Sequence, residues 1–341
     1  MINDKEVKSV ISPFAVRENE KKVFDGKEGY ASINQVVFKM DMGYITELHI
    51  KVLEVVNEFM FVTSRQVTQI MNNRKKLEEI DVEKRQDKVA KLLEDLMKSK
   101  ILSRYYFESD KGKSSFRVYG IDKIATYILK QRNITTYWQP TDNTRPAHEL
   151  KRRLAANQLI IAYMEKVASF DRVDVNLLLY SKKYNVKFKP TAGNIVLKKD
   201  DGKINLLFEV VRTNEEWKNS FATKVQLYSD FIENFAVNDG GYSEVPNLIF
   251  VGEDPKHLGE MFKIIKQVGA SFDDKVTYYT TDLKQLEDDL TESLYLFEQD
   301  EYTKKYKIVS KKLEILKYGE ADVNSEELKT STKFSPGMIV E

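Results

Sequence analysis

No cysteine occurs in the 341 residues, which excludes disulfides, thiolate zinc sites and a cysteine nucleophile. Histidine is almost as scarce. His49, His148 and His257 are the only three, too few for a histidine-rich metal centre. No apolar run approaches the roughly 18 residues of a membrane span, and the opening MINDKEVKSVISPF lacks the apolar core of a signal peptide. The expectation is a cytoplasmic protein with no membrane partner. An excess of either charge is missing too: 54 Lys and Arg stand against 53 Asp and Glu, a formal net of +1. Whole-chain charge therefore identifies no partner; only its distribution can. What is present is 42% hydrophobic and 11% aromatic residues, enough for a folded core.

The length suits two domains, since a domain usually takes about 100–200 residues. Residues 1–43 are polar and weakly patterned and read as an N-terminal arm, partly disordered, with SINQVVFKM as one strand. Such an arm suits a dimerisation strand or an interaction peptide, so a homodimer is a candidate assembly. A first unit covers 44–133. The segment ITTYWQPTDNTRPA supplies a linker at 134–146, and a second unit covers 147–299. Residues 300–341 lose apolar periodicity and read as a charged C-terminal tail. The fold class is α/β, α+β overall.

In the first unit Ile45, Leu48, Val52, Leu53, Val56 and Phe59 recur at helical spacing. Thr63 followed by Gln66 is a capping-box start for a second helix. A third helix at 82–98 buries Val89, Leu92, Leu93, Leu96 and Met97, and carries Lys84, Arg85, Lys88 and Lys91 on its other face. Two β-rich runs then flank the turn Asp110-Lys111-Gly112-Lys113, with Arg104 and Arg117 on the strands, before a fourth helix, IDKIATYILKQR. Three helices and a hairpin is the order of a winged helix-turn-helix, whose third helix enters a DNA groove beside the hairpin. Residues 44–132 hold 18 Lys and Arg against 13 Asp and Glu, a net of +5, whereas 133–299 hold 21 against 25, a net of −4. The cationic excess thus lies on the unit expected to neutralise phosphates, and double-stranded DNA is the expected partner. Candidate contacts are those six helix and strand cations, Lys111 and Lys113 of the turn, and Arg74, Lys75 and Lys76 before the third helix. Glu83, Asp87, Glu94 and Asp95 weaken the grip of that helix. The same charges also suit a solvated helix face or a protein-docking module.

The second unit reads as helix (RPAHELKRRLAANQLIIAYMEKV), strands DVNLLLY, GNIVLKK and INLLFEVV, a helix at about 215–235, strand NLIFVG, helix PKHLGEMFKIIKQV, strand KVTYYTT and helix LKQLEDDLTESLYLF. A sheet covered by helices, with an acid at the end of a central strand, resembles the restriction-endonuclease-like PD-(D/E)XK frame. Active members hold a divalent metal between a P-D aspartate and the acid of E-x-K, because hard cations want several oxygens. Here Thr191 follows Pro190 in place of the aspartate. Glu209 keeps the acid, Val211 stands where the lysine belongs, and Arg212 falls on the other strand face. No catalytic residue, metal or cofactor is therefore expected. Lys224 and Tyr228, one helical turn apart, read as partners of Glu209 in a buried ion pair. The nuclease alternative requires Mg²⁺ and would draw on Glu209, Lys224 and Glu149; otherwise Glu149 reads as a solvent-exposed helix residue.

Several motifs follow one another in an order similar to the plasmid replication-relaxation family. They are Thr63 with Gln66; Leu93, Leu96, Ile101, Leu102 and Arg104 before the hairpin; His148-Glu149-Leu150; Phe208 to Val210; and Lys224 with Tyr228. The resemblance covers about 44–298. It implies a DNA-binding protein of a plasmid or mobile element, acting in replication, DNA relaxation or conjugative transfer, with a relaxase or replication protein as candidate protein partner. Many members carry an acid two positions after the strand glutamate; Val211 and Thr191 depart from the pattern and argue further against catalysis. A winged-helix transcriptional regulator is the remaining alternative.

Overall fold

The computed structural model describes residues 12–200, 202–237, 242–270, 277–287, 289–302 and 305–317. The end of the expected tail, 318–341, and the first 11 residues of the expected arm lie outside the described residues. The first half opens with strand β1 (Lys21–Phe24) and helix α1 (Ile33–Asp41). Helix α2 (Glu47–Phe59), strand β2 (Phe61–Val62), helix α3 (Ser64–Asn73) and helix α4 (Arg85–Lys98) follow. Strands β3 (Leu102–Ser109), β4 (Gly112–Lys113) and β5 (Val118–Ile121) precede helix α5 (Lys123–Gln131). The expected capping box is present, with Thr63 Oγ1 accepting from Gln66 N and Gln66 Oε1 from Thr63 N. An antiparallel sheet runs β1-β3-β5-β2, with β4 paired to β3.

Two expectations for 1–43 are corrected. SINQVVFKM is a helix rather than a strand, because Ser32 and Gln35 form a capping box of their own and Val36 turns inward. From residue 12 onward much of the arm is built into the fold. β1 extends the sheet along β3, and Phe14 is buried with its ring edge-on to Phe116.

A short 3₁₀ turn (Pro140–Thr144) leads into helix α6 (Ala147–Lys166). Then come strand β6 (Phe170–Asp174), a small ribbon of β7 (Leu179–Ser181) and β8 (Val186–Phe188), and strands β9 (Asn194–Lys199) and β10 (Gly202–Val210). Helix α7 (Trp217–Glu233), strand β11 (Asn247–Gly252), helix α8 (Pro255–Val268) and strands β12 (Thr277–Thr281), β13 (Leu294–Gln299) and β14 (Tyr306–Lys311) complete it. The sheet order is β14-β13-β12-β11-β10-β9-β6, with β10, β11 and β12 parallel and the other neighbours antiparallel. The molecule is thus mixed α/β.

Three local expectations differ. DVNLLLY is not one strand; the sheet strand ends at Asp174 and Leu179 begins the ribbon. LKQLEDDLTESLYLF is a single 3₁₀ turn followed by β13. Asp289 accepts from both N and Oγ1 of Thr291, a turn that stops a helix, and residues from Leu294 pair with β14. Part of the expected tail is consequently structured, since β14 closes the sheet edge and Leu316 is buried.

Helix α6 is the spine of the core. Leu150, Leu154, Leu159, Ile160 and Tyr163 are buried, and the helix packs on α3 and β2 on one side and on β6 and β10 on another. Its polar groups lock the contact. Asn157 Nδ2 donates to Phe59 O (3.2 Å) and Phe61 O (2.7 Å), and Gln66 Nε2 donates to Leu154 O (2.8 Å). One apolar cluster therefore runs from Ile50 through Leu154 to Phe208, and a second lies between the sheet, α7 and α8 around Val225, Phe250 and Leu258. Residues 12–20 cross α6. Lys151 Nζ reaches Glu20 at 2.6 Å and Ala15 O at 2.7 Å, and both charged side chains are only 3% exposed. No described helix is long and apolar enough to cross a membrane.

Candidate functional site

Glu209 sits near the end of β10, 4% exposed. The turn into β9 delivers Thr191 to it, and that turn needs glycine. Gly193 has φ +74°, and a Cβ there would lie 2.3 Å from Asp174 O. Thr191 Oγ1 donates to Oε1 (2.6 Å), Thr191 N to Oε2 (3.2 Å) and Tyr228 OH to Oε2 (2.8 Å); Lys224 Nζ stands 3.7 Å away. Burial, and then the Glu209 charge, hold the Tyr228 phenol well above its ordinary value, so it stays a donor. The geometry thus brings together the three residues paired from sequence, and adds Thr191. Both carboxylate oxygens are engaged by donors, Val211 is packed in the apolar core, and Glu149 is bound to Arg145 at 2.7 Å. This donor set does not fit Mg²⁺, which wants free oxygens and few adjacent cations. Glu149 is half-buried in an ion pair rather than a solvent-exposed helix residue. Replacing Tyr228 with phenylalanine is expected to cost about 1.5–3 kcal/mol, the worth of a hydrogen bond to a charged group. Urea denaturation of the two proteins measures it.

In front of this network opens a cleft of about 410 Å³ between the Pro140–Thr144 turn, the start of α6 and the β8–β9 connection. Arg145, Arg152, Arg153, Lys189 and Lys224 line it, with Tyr137 and Phe188 beside them. Arg145 spans Asp142 and Glu149, both at 2.7 Å, which uses up the two acids of the rim. Lys224 donates to Lys189 O. Burial and then the neighbouring Arg152 and Arg145 bring Arg153 down to about 10; burial and then Arg153 lower Lys189. Sequence reasoning missed Arg152, Arg153 and Lys189. The density of basic residues around K-R-R at 151–153, with K-P at 189–190, was the available signal.

The cations expected to contact DNA divide into two groups. Arg74 is clamped bidentately on Glu58 (2.6 and 2.7 Å), Lys76 on Glu54 (3.2 Å) and Lys84 on Asp81 (2.8 Å). Arg85 donates to Ile80 O at 2.8 Å. Arg104 is 19% exposed between Asp25 and Glu94, and Arg117 binds Asp25 at 2.7 Å. Lys75, Lys88, Lys91, Lys111 and Lys113 are exposed and carry no ion pair among the described residues; Lys113 lies over the Tyr106 ring at 5.1 Å. Glu78, Glu79, Asp81, Glu83 and Asp87 are exposed just before and at the start of α4.

A third polar cluster lies at the carboxyl ends of β10–β12. Arg212 is buried with Nη2 2.7 Å from Asp282, which also accepts from Ser12 Oγ. His257 accepts from Glu253 N at Nδ1 (3.2 Å) and meets the Trp217 ring edge-on. Burial, and then the Arg212 charge, bring His257 down to about 4. His148, at the start of α6, is also lowered by burial. No family model, curated protein or solved structure matches the chain.

Proposed function

We propose that the chain is a non-catalytic DNA-binding protein of a plasmid or other mobile element, related to the plasmid replication-relaxation family and acting in replication, DNA relaxation or conjugative transfer. The observation that carries the reading is the succession α2-β2-α3-α4-β3-β5 with the strands ordered β3-β5-β2. This supports a winged helix-turn-helix whose α4 enters a major groove while the β3–β5 connection lies on the backbone. Lys88, Lys91, Lys111 and Lys113 are the phosphate contacts in this reading, because they are exposed and carry no ion pair among the described residues. Arg74, Lys76, Arg104 and Arg117 hold the scaffold through their acids. The second half is a nuclease-like frame whose strand carboxylate has become structural, since Thr191 and Tyr228 occupy its oxygens. It leaves a surface for a relaxase or replication protein.

Each phosphate contact contributes about 0.9 to the slope of log K against log salt. Replacing Lys111 and Lys113 with glutamine is expected to weaken DNA binding about tenfold and reduce that slope by about 2. A mobility-shift titration at two salt concentrations, on fragments tiling the replicon and with Mg²⁺ present or absent, reads both. Unchanged affinity and slope would remove the hairpin from the interface, and Mg²⁺-dependent nicking would overturn the non-catalytic assignment. The exposed acids at 78–87 favour one other reading, a docking face for a basic protein. Absence of any DNA binding at low salt selects it.

A further inference from the structure

The cleft before α6 holds more positive charge than the protein itself neutralises. Asp142 and Glu149 are both taken by Arg145, and Lys224 has Glu209 behind it. Arg152, Arg153 and Lys189 are left with no carboxylate in ion-pair distance among the described residues. Arg153 is the telling member, for its Nη1 is buried and has no hydrogen-bond acceptor among the described residues. A buried guanidinium donor left unsatisfied costs about 1–3 kcal/mol or more, so such groups normally have a partner. The cations also oppose one another. Arg152 and Arg145 make the charged form of Arg153 less favourable, and Arg153 does the same to Lys189. An anion in the cleft would relieve both penalties together.

Size and lining narrow the anion. About 410 Å³ lies at the small-ligand end of the range for binding pockets, roughly 300–1,000 Å³. Guanidinium groups match phosphate oxygens bidentately, and a lysine adds a point charge. Tyr137, 41% exposed, lies over this rim with its ring 5.8 Å from Lys189 Nζ, placed to stack on a base. We propose that the cleft binds the phosphate of a single nucleotide unit, with Arg152, Arg153 and Lys189 holding the phosphate and Tyr137 stacking on the base. That unit comes either from a free mononucleotide or from the phosphorylated end of a DNA strand. The site uses no residue of α4 or the hairpin and stands independently of the DNA-binding reading.

Isothermal titration with inorganic phosphate, deoxyadenosine monophosphate, and a tetranucleotide with and without its 5′-phosphate tests it on the full chain. The expected result is saturable binding of the mononucleotide, about tenfold weaker in Arg153→Gln and in Lys189→Gln. Tyr137→Ala should weaken the nucleotide and leave inorganic phosphate unchanged. Binding of the 5′-phosphorylated tetranucleotide, and not its unphosphorylated form, assigns the site to a strand end; binding of the mononucleotide alone assigns it to a free nucleotide. Lys189 is only half-buried, so its variant serves if Arg153→Gln does not fold. No binding of any phosphate probe, or binding untouched by both charge variants, overturns the site. Loss of duplex binding in the Lys111/Lys113 variant with nucleotide binding intact separates the two proposals.

Discussion

Replacing Glu20 with alanine is expected to destabilise the chain by about 3–5 kcal/mol, the largest single effect we anticipate. Glu20 and Lys151 face each other at 2.6 Å with 3% of each side chain exposed, and Lys151 also donates to Ala15 O. Taking two charges out of water is costly, and burial lowers the Lys151 pKa even with Glu20 beside it. The pair is therefore not a strong net source of stability. Removing one member is a different matter, because it strands an ammonium group against Phe107 and Ala15 O without its ion-pair partner. The double variant Glu20→Ala, Lys151→Met should recover most of the loss, since methionine fills the space and needs no partner. Urea denaturation at neutral pH, as a double-mutant cycle, reads both. A single-variant loss below about 1 kcal/mol would mean that water reaches Lys151.

Acid should destabilise the protein through His257. The folded chain favours the neutral imidazole, with a pKa of about 4 against 6.5 for the free side chain, because burial and then Arg212 oppose its charge. Asp254 and Glu260 act in the opposite sense, Lys218 with Arg212, and Glu253 lies 4.0 Å from the ring. A depressed folded value means that the unfolded chain takes up the proton first. The contribution is whole above pH 6.5, is lost as the pH falls through 6.5 toward 4, and changes no further below that. Its full size is about 3 kcal/mol. His257→Asn keeps an acceptor for Glu253 N and removes the titration. The stability of the parent chain minus that of the variant should therefore fall between pH 7 and pH 4.5. A pH-independent difference would place a charged, solvated ring at 257.

How much of this was legible can be followed residue by residue. Helices α2 and α3 were, because Val52, Leu53, Val56 and Phe59 keep helical spacing and Thr63 with Gln66 marks a start. Residues 33–41 were misread because Val36, Val37 and Phe38 form a β-rich run, although Ser32 and Gln35 carried the same capping signal as Thr63 and Gln66. Leu283, Leu286, Leu290 and Leu294 have the spacing of an amphipathic helix. Asp289 and Thr291 nevertheless close a turn between them, and a local pattern does not show that β14 is waiting to pair. Glu209, Lys224 and Tyr228 were legible together, because a strand end and one helix face place them. The cleft was not. Arg152 and Arg153 look like any solvated helix face until the turn at 140–144 and Lys189 close over them. Nor does sequence reveal that Arg104 and Arg117 share Asp25, some 80 to 90 positions away.

The segment 12–20 has a consequence for the order in which the chain is made. Its most distant partners are Lys151, Glu253 and Asp282, which lie 131 to 270 positions downstream. A ribosome adding about 5–20 residues each second exposes the segment for many seconds before Asp282 is made. Ser12 must wait through that interval, long after Phe116 and Lys151 are available to Phe14 and Glu20, and closing so long a loop is slow. Docking of the Ser12 end is thus the natural closing step of folding, and nascent chains that stop short of residue 282 should keep that end of the segment open to proteases.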